Sequence, residues 1–179
     1  GVTLDKVGPE TVSVGDEVTL TATVTPDDAT DKTVTWTSSD STVAKVENGV
    51  VTALKAGNAT ITAKAGNAQA TCQFVVKQPL TDASLSSAAQ ESLKNIIKGT
   101  SYFLKLDLEP ADASDVTVEW TSKDSNIASV EKNDNGYYVK AIAEGNTEIT
   151  FVATDYEGNE VTKTYPVEVS IIPIDSIAI

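Results

Sequence analysis

The chain has 179 residues and a net charge of −13, with 26 acidic residues against 13 lysines and neither arginine nor histidine. Nucleic acids and anionic membrane surfaces select basic proteins, so this composition excludes both as partners. Because Cys72 is the single cysteine, no intrachain disulfide can form, and no apolar run is long enough to predict a membrane span.

The first 77 residues predict a series of short β-strands. Val2–Asp5 and Thr11–Val14 are separated by Gly8-Pro9, and the run from Val18 to Val24 alternates apolar residues with threonine. Such a period of two predicts a strand with one buried face. Further strands are predicted at Val34–Trp36, Val43–Val46, Val50–Lys55, Ala59–Ala65 and Ala70–Val76, with turns at Asn48-Gly49, Gly57-Asn58 and Gly66-Asn67. Short strands with turns every 8–12 residues are typical of a β-sandwich.

One stretch of the chain occurs twice. Residues 26–46 read PDDATDKTVTWTSSDSTVAKV, and residues 110–130 read PADASDVTVEWTSKDSNIASV. The two tryptophans, Trp36 and Trp120, lie 84 residues apart, as do the prolines that open the two stretches. A repeat at this period indicates two copies of one fold. We therefore predict a first domain at 1–77, a linker at 78–83, a second domain at 84–172, and at 173–179 the start of a further repeat or a tail.

The second copy follows the same plan with larger side chains and longer hairpins. Its alternating run carries tyrosine and leucine at the inward positions, namely Tyr102, Leu104, Leu106 and Leu108. The Asn-Gly turn of the first copy becomes Lys132–Gly136, and Asp155–Asn159 lengthens the last hairpin. We expect the added residues to lie in the turns, where a sandwich tolerates insertions.

Residues 87–98 depart from the strand pattern. Ser87-Ala88-Ala89-Gln90 has the spacing of a capping box, apolar residues follow at helical spacing, and Gly99 suits a C-terminal cap. The segment therefore predicts a short helix near 87–98, although Ile96-Ile97 also fits an edge strand. We expect the helix to close one end of the sandwich rather than to form a site.

Several motifs resemble those of bacterial immunoglobulin-like domains of group 2. The first copy carries VTLTATVTP, VTWTSSD and GVVTALKAG, and the second carries VEWTSKD and AIAEGN. The resemblance covers residues 2–77 closely and 84–170 more loosely. It implies an all-β fold of two tandem immunoglobulin-like β-sandwiches. It also implies an extracellular or cell-surface location, because the family occurs on bacterial adhesins and invasins, secreted polysaccharide-degrading enzymes and phage virions.

The residues that catalysis needs are scarce. The chain has no histidine, and Cys72 lies in the alternation Ala70-Cys72-Phe74-Val76, which predicts a buried apolar residue rather than a reactive thiol. Neither a nucleophile–base pair nor a soft metal site can therefore be assembled. Carboxylates are plentiful but lie in predicted turns, such as Asp155-Tyr156-Glu157. We expect no enzyme activity, no catalytic residue and no bound cofactor.

Calcium is the one metal whose ligands the sequence offers. Carboxylate oxygens suit Ca²⁺, and two clusters carry them: Asp27, Asp28 and Asp31 in the first copy, and Asp112, Asp115 and the longer loops in the second. Because neither an EF-hand loop nor a repeated Asp-x-Asp series is present, we expect solvated turn acids and no metal site. Asp40 and Asp124, which recur after Trp-Thr-Ser-x, are predicted to cap turns through side-chain hydrogen bonds to the backbone.

The aromatic residues divide into buried and exposed. Trp36 and Trp120 alternate with valines, which predicts burial in the two cores rather than a sugar-stacking role. Tyr137 and Tyr138 are adjacent, so one of them must face solvent, and Tyr156 lies at a predicted loop tip. These tyrosines are the aromatic residues that we expect to be available for ligand contact.

From these features we expect a non-catalytic structural or adhesive module of a bacterial cell-surface or secreted protein. It would act as a spacer or cell-adhesion unit, with neighbouring repeats of the parent protein as its partners. One alternative is direct binding of a glycan or a host protein by the loops of the second copy, where residues 78–179 hold 17 acids against 7 lysines. Another is an accessory role in a secreted polysaccharide-degrading enzyme.

Overall fold

The structure is a computed structural model that describes residues 1–171. The chain divides into two compact units, the first from Gly1 to Pro79 and the second beginning at Leu80. The division falls within the segment predicted as a linker, residues 78–83. The second half of that segment belongs to the second unit, because Leu80 and Ala83 are buried there. The segment predicted as a further repeat or tail, residues 173–179, lies outside the described residues.

Nine short strands build the first unit. They are β1 (Val2–Leu4), β2 (Glu10–Ser13), β3 (Glu17–Thr19), β4 (Ala22–Val24), β5 (Thr35–Ser38), β6 (Ala44–Glu47), β7 (Val50–Ala53), β8 (Gly57–Ala65) and β9 (Ala68–Lys77). The predicted turns at Asn48-Gly49 and Gly66-Asn67 join β6 to β7 and β8 to β9. The Asn-Gly pair suits its turn because Asn48 and Gly49 both have positive φ, at 50° and 87°.

These strands form the two layers of a sandwich. In one layer β2, β9, β8 and β5 lie in that order, with β2 parallel to β9 and the other pairs antiparallel. In the other layer β3 pairs with β7, β7 pairs with β6, and β4 pairs with β1. The predicted strand from Val18 to Val24 is thus split near Leu20, because its first half pairs with β7 and its second half with β1.

The core of the first unit lies between the two layers. Its largest wholly buried side chains are Val51 of β7, Ile61 of β8, and Phe74 and Val76 of β9. Burial of each such side chain contributes about 1.5–3 kcal/mol to folding. Cys72 is buried in the same core, which confirms the prediction from the alternation around it.

The second unit repeats this order of strands and adds one helix. Its elements are β10 (Asp82–Leu85), α1 (Ser87–Leu93), β11 (Ile96–Ile97), β12 (Ser101–Phe103), β13 (Leu106–Glu109), β14 (Thr117–Ser122), β15 (Ala128–Asn133), β16 (Gly136–Ala141), β17 (Gly145–Thr154) and β18 (Glu160–Ser170). The sheet β11-β18-β17-β14 corresponds to β2-β9-β8-β5, and β12-β16-β15 corresponds to β3-β7-β6. β10 pairs with β13 as β1 pairs with β4. The all-β fold of two tandem immunoglobulin-like sandwiches is thus confirmed.

The helix is shorter than predicted and begins with a different cap. Its N-cap is Ser86, not Ser87, and the Ser86 hydroxyl accepts a hydrogen bond from the Ala89 N–H at 3.3 Å. The Gln90 side chain donates to the Leu85 carbonyl at 2.7 Å instead of completing a capping box. Within residues 1–171, no helix has the length and apolar character needed to cross a membrane.

The end of the predicted helix is instead an edge strand. Ile96 and Ile97 pair in parallel with Val169 and Ser170 of β18, at the position that β2 holds in the first unit. The alternative reading of Ile96-Ile97 is therefore confirmed, and the helix does not extend to residue 98. Gly99, with φ of 86°, turns the chain after this strand rather than capping the helix.

The turn predicted to be long at Lys132–Gly136 is short. Asn133 pairs with Gly136, so only Asp134 and Asn135 lie between the paired residues of β15 and β16. Each of these strands has six residues, whereas β6 and β7 have four. The added residues lengthen the paired strands, and the prediction that they lie in the turn is wrong for this hairpin. In the last hairpin, by contrast, residues 155–159 do form a longer loop, as predicted.

The core of the second unit is richer in aromatic residues. One cluster contains Leu93 of α1, Ile96, Val139 and Ile149, and a second contains Leu80, Ala83, Phe151 and Ala153. Trp120 packs against both clusters, at 5.2 Å from the Phe151 ring and 6.3 Å from the Tyr137 ring. Helix α1 thus buries its apolar side in the core, as expected for an element that closes the sandwich.

Candidate functional site

The acidic residues considered for calcium are not assembled into a site. Within the described part of the chain, no group of three or more His, Cys, Asp or Glu side chains is placed to hold a metal ion. Asp31 serves its own loop, where its carboxylate accepts the Thr33 N–H at 2.8 Å and hydrogen bonds from Thr33 lower its pKa. Asp27, Asp28 and Asp112 are exposed to solvent.

Asp40 and Asp124 cap equivalent turns, as predicted. The Asp40 carboxylate accepts the Thr42 N–H at 2.9 Å and the Thr42 hydroxyl at 2.6 Å, and these bonds lower the pKa of Asp40. The Asp124 carboxylate accepts the Asn126 N–H at 2.9 Å. Both residues therefore hold local backbone geometry, and this accounts for their recurrence.

Asp155 is a buried carboxylate that the sequence placed in a solvated turn. It is only 5% exposed, and its oxygens accept the N–H groups of Leu80, Glu157 and Asn159 at 2.9–3.0 Å and the Asn159 side-chain amide at 3.0 Å. Burial alone would raise the pKa of Asp155. The hydrogen bonds from Asn159, Leu80 and Glu157 outweigh burial and lower that pKa. Asp155 therefore fixes the loop between β17 and β18 to the start of the second unit.

Trp36 and Trp120 pack against their cores but are only partly buried. The Trp36 ring lies over Gly49, where an added Cβ would come within 3.1 Å of its Cζ2 atom. The Trp120 Nε1 atom is buried without a hydrogen-bond partner in the structure. The predicted core position is confirmed for both indoles, and neither forms an open stacking platform.

The two adjacent tyrosines face opposite sides of β16. Tyr137 packs in the core and donates its hydroxyl to the Val118 carbonyl at 2.6 Å. Tyr138 lies on the other side against Phe103, with ring centroids 5.3 Å apart. Phe103 is 45% exposed and was not among the residues predicted for ligand contact. The alternation of the strand could have predicted this exposure, because Phe103 stands between two inward residues, Tyr102 and Leu104.

The third predicted tyrosine, Tyr156, is half-buried in the loop between β17 and β18. It follows Asp155, whose hydrogen bonds fix that loop. The aromatic residues predicted for ligand contact are therefore not brought together. Tyr138 lies on a sheet, Tyr137 lies in the core, and Tyr156 lies in a loop at the far end of β17.

A groove occurs at equivalent positions on both units. In the second unit it has a volume of about 840 Å³, lies beside the end of α1, and is lined by β17 and β18. In the first unit the corresponding groove on β8 and β9 has about 270 Å³. The lysines that line the larger groove are ion-paired, Lys94 with Glu91 at 2.6 Å and Lys123 with Glu148 at 2.9 Å. With Asp124, Glu148 and Glu168 in its lining against two ion-paired lysines, the groove is not an anion site.

Cys72 cannot serve as a nucleophile in this setting. Its Sγ atom lies 3.4 Å from the Gly8 carbonyl oxygen, and burial raises the pKa of its thiol. A raised pKa keeps the sulfur protonated, whereas the thiolate is the reactive form. Among residues 1–171, the one thiol is therefore held in an unreactive form.

Comparison with known proteins places these features in a family. The profile of the family described as bacterial Ig-like domain (group 2) matches the chain twice, at residues 2–74 and 90–164. An alpha-L-arabinofuranosidase of Bifidobacterium longum subsp. longum is 36% identical over 174 residues, and an uncharacterized protein of Clostridium acetobutylicum is 34% identical over 158 residues. Each of these matches covers 86% of this chain and 16% of the relative. The chain therefore spans about a sixth of the length of these relatives.

Two further likenesses are a phage protein and a solved structure. An Ig-like virion protein of Serratia phage KSP90 is 33% identical over 159 residues, with 83% of this chain and 59% of that protein covered. Domains 4 and 5 of the S-layer protein SbsC have a TM-score of 0.41 and 22% identity, with 96% of both chains covered.

Proposed function

This chain belongs to the bacterial Ig-like domain family, group 2, and we propose that it acts as a non-catalytic spacer in a longer cell-surface or secreted protein. In this role it holds a neighbouring functional domain away from the surface or from the rest of its protein. Its partners are the adjoining domains of the same chain. The small share of the relatives' length that it spans supports a role as one module among several.

The observation that carries this proposal is that each repeat has a core of its own. Residues of both layers form the first core, and strands and helix of the second unit form the other two clusters. A module that buries its own apolar residues needs no neighbour in order to fold, which is what a spacer requires. The polar groups with lowered pKa values, such as Asp40 and Asp155, support turns and loops.

A replacement experiment tests the spacer role. Deleting residues 1–171 from the full-length protein is expected to reduce antibody access to the domain that the chain displays. Inserting an unrelated pair of Ig-like domains of the same length is expected to restore that access. Unchanged access after the deletion, or no recovery with the substitute pair, would contradict the proposal.

A second candidate is an accessory module of a secreted polysaccharide-degrading enzyme. The specific observation in its favour is the match to the arabinofuranosidase, which covers most of this chain but 16% of that protein. In such a parent, deletion of the chain is expected to leave kcat/KM on a small soluble substrate unchanged and to slow the attack on insoluble polysaccharide. An equal loss on both substrates would rule this candidate out.

A further inference from the structure

We infer that the second unit binds a neutral saccharide on an aromatic row formed by the exposed Phe103 and the half-buried Tyr138, a role beyond that of a spacer. The row crosses three neighbouring strands. Phe103 of β12 is paired with Tyr138 of β16, and Tyr138 is paired with Glu131 of β15. The three residues therefore stand side by side on one face of the sheet, which is the face opposite the core residues Tyr137 and Val139.

The Phe103 ring is held in place by the backbone beneath it. A Cβ atom added to Gly136 would lie 2.8 Å from Cε2 of Phe103, so the ring covers the one residue of β16 that lacks a side chain. The ring also makes a tilted contact with Tyr138, at 5.3 Å between centroids. Phe103 nevertheless stays 45% exposed. A ring that is fixed and still open to solvent loses little conformational freedom when a ligand covers it.

Polar groups surround the aromatic surface. A depression of about 320 Å³ beside Tyr138 is lined by Ser101, Glu131, Lys132 and Asn133. Its volume is at the lower end of the range of small-molecule sites. Its lining provides the Ser101 hydroxyl, the Glu131 carboxylate and the Asn133 amide, which together donate and accept hydrogen bonds. The Lys132 ammonium lies over the Tyr137 ring, on the other face of the sheet. An aromatic face bordered by such groups matches a sugar ring, which has an apolar C–H face and hydroxyls around its edge.

The longer hairpin of the second unit creates this depression. Lys132 and Asn133 belong to the residues by which β15 exceeds β6, so the first unit has no counterpart for them. At the positions of Phe103, Tyr138 and Glu131 the first unit has Thr19, Val50 and Glu47. The first unit therefore has the same sheet without the aromatic pair, and it serves as an internal control.

Charge selects the class of saccharide. The second half of the chain, residues 78–179, has 17 acids against 7 lysines. At the row itself Lys140 is paired with Glu131 at 3.0 Å, whereas the ammonium of Lys132 lies 5.2 Å from the centre of the Tyr137 ring, on the opposite face of the sheet. This field repels uronate-containing and sialylated glycans. A neutral oligosaccharide is therefore the ligand that the surface fits.

A titration of the whole chain against neutral oligosaccharides tests the inference. Glycan-array binding followed by NMR titration of ¹⁵N-labelled protein should find a saturable neutral ligand whose shift changes centre on β12, β15 and β16. Phe103→Ala and Tyr138→Ala should each weaken that binding at least about tenfold. Phe103→Tyr should retain it. Phe103→Leu, which still covers Gly136 but lacks the aromatic face, should lose it while the thermal unfolding temperature stays close to that of the parent.

Two matched controls locate the site. Tyr156→Ala changes the other predicted contact tyrosine, and Val50→Ala changes the equivalent position of the first unit; neither is expected to alter affinity. The inference is overturned if no neutral glycan binds saturably at millimolar concentration, or if Tyr156→Ala abolishes binding while Phe103→Ala does not. Selective binding of acidic glycans, or of a protein ligand only, overturns it as well. None of these outcomes bears on whether a substitute domain pair restores antibody access.

Discussion

The two units differ most in their hairpins, although they share one order of strands. In the first unit β6 and β7 pair over four residues each, and in the second unit β15 and β16 pair over six. Both hairpins close with two residues, Asn48-Gly49 in one and Asp134-Asn135 in the other. The core pair Val46 and Val51 corresponds to Val130 and Val139.

This difference shows how a sandwich accepts an insertion without losing its core. Side chains alternate between the faces of a strand, so adding two residues to each strand leaves every earlier side chain on its original face. The added pairs also carry Lys132 and Asn133, which line the depression beside Tyr138. The insertion thus adds surface without changing the interior.

The cores differ in where the large ring is placed. In the first unit Trp36 is paired with Ala63, and Phe74 occupies the next strand, β9. In the second unit Trp120 is paired with Phe151, and the position of Phe74 is taken by Val167. Both arrangements put one phenylalanine at the centre of each core, where its burial decides the stability of that unit.

The largest expected effect comes from removing these phenylalanines. Phe151→Ala should lower the free energy of unfolding of the second unit by about 3–5 kcal/mol and leave the first unit unchanged, and Phe74→Ala should do the reverse. Urea unfolding monitored by tryptophan fluorescence separates the two units. In a Trp120→Phe background the fluorescence of Trp36 reports on the first unit, and in a Trp36→Phe background that of Trp120 reports on the second. Equal loss in both units from either variant would contradict separate cores.

The second unit has a buried, hydrogen-bonded carboxylate, Asp155, that the first unit lacks. Asp155→Asn should cost the second unit about 2 kcal/mol, because an amide cannot accept all the bonds that the carboxylate accepts from Leu80, Glu157 and Asn159. Asp134→Asn, in an exposed turn of the same unit, is the control and should change stability by less than about 0.5 kcal/mol. A cost no larger than that of the control would show that the buried hydrogen bonds contribute little.

The same residue predicts an acid dependence. Because the folded pKa of Asp155 lies below its ordinary value of 3.8, its stabilisation is complete above that value and is lost as pH falls through the folded pKa. The stability of the second unit should therefore decline more steeply below pH 4 in the parent than in Asp155→Asn. Identical pH profiles from urea titrations would contradict this assignment.

The two hairpin glycines should respond differently to alanine. Both glycines have positive φ, at 87° and 128°, so alanine is strained at each. At Gly49 a Cβ would also lie 2.6 Å from the Leu20 carbonyl oxygen, which is rigid backbone, whereas at Gly136 its close neighbour would be the side-chain ring of Phe103. Gly49→Ala should thus cost about 1–2 kcal/mol or more, through both positive φ and this contact. Gly136→Ala should cost less. Thermal unfolding of the two variants measures the difference, and a larger loss for Gly136→Ala would contradict the packing described.

The smallest effect is expected at the helix that only the second unit has. Ser86→Ala removes the hydroxyl that accepts the Ala89 N–H and should lower the stability of the second unit by about 1 kcal/mol. Ser87→Ala is the control, since the sequence had placed the cap there. A greater loss from the Ser87 variant, measured by urea unfolding, would restore the predicted capping box.

Local patterns predicted most of the fold, and contacts distant in sequence account for the rest. Alternation and the Asn-Gly turn placed the strands, and Asp40 and Asp124 could be assigned because their partners lie two residues away. The burial of Asp155 could not be predicted from its neighbours in sequence, because one of its hydrogen-bond partners, Leu80, lies 75 residues earlier. The sequence does not predict Phe103 as a contact residue, because it forms an aromatic surface only together with Tyr138. Tyr138 lies on another strand, which the fold brings next to Phe103. The split near Leu20 also depends on two separate partner strands.

The central claim is that each repeat closes a core of its own. Residues 1–79 and the residues from Leu80 onwards should be expressed as separate fragments and unfolded in urea beside the whole chain. Each fragment is expected to unfold cooperatively, with a free energy of unfolding close to that of the same unit in the whole chain. A fragment that is unfolded alone, or that loses most of its stability when separated, would contradict the claim.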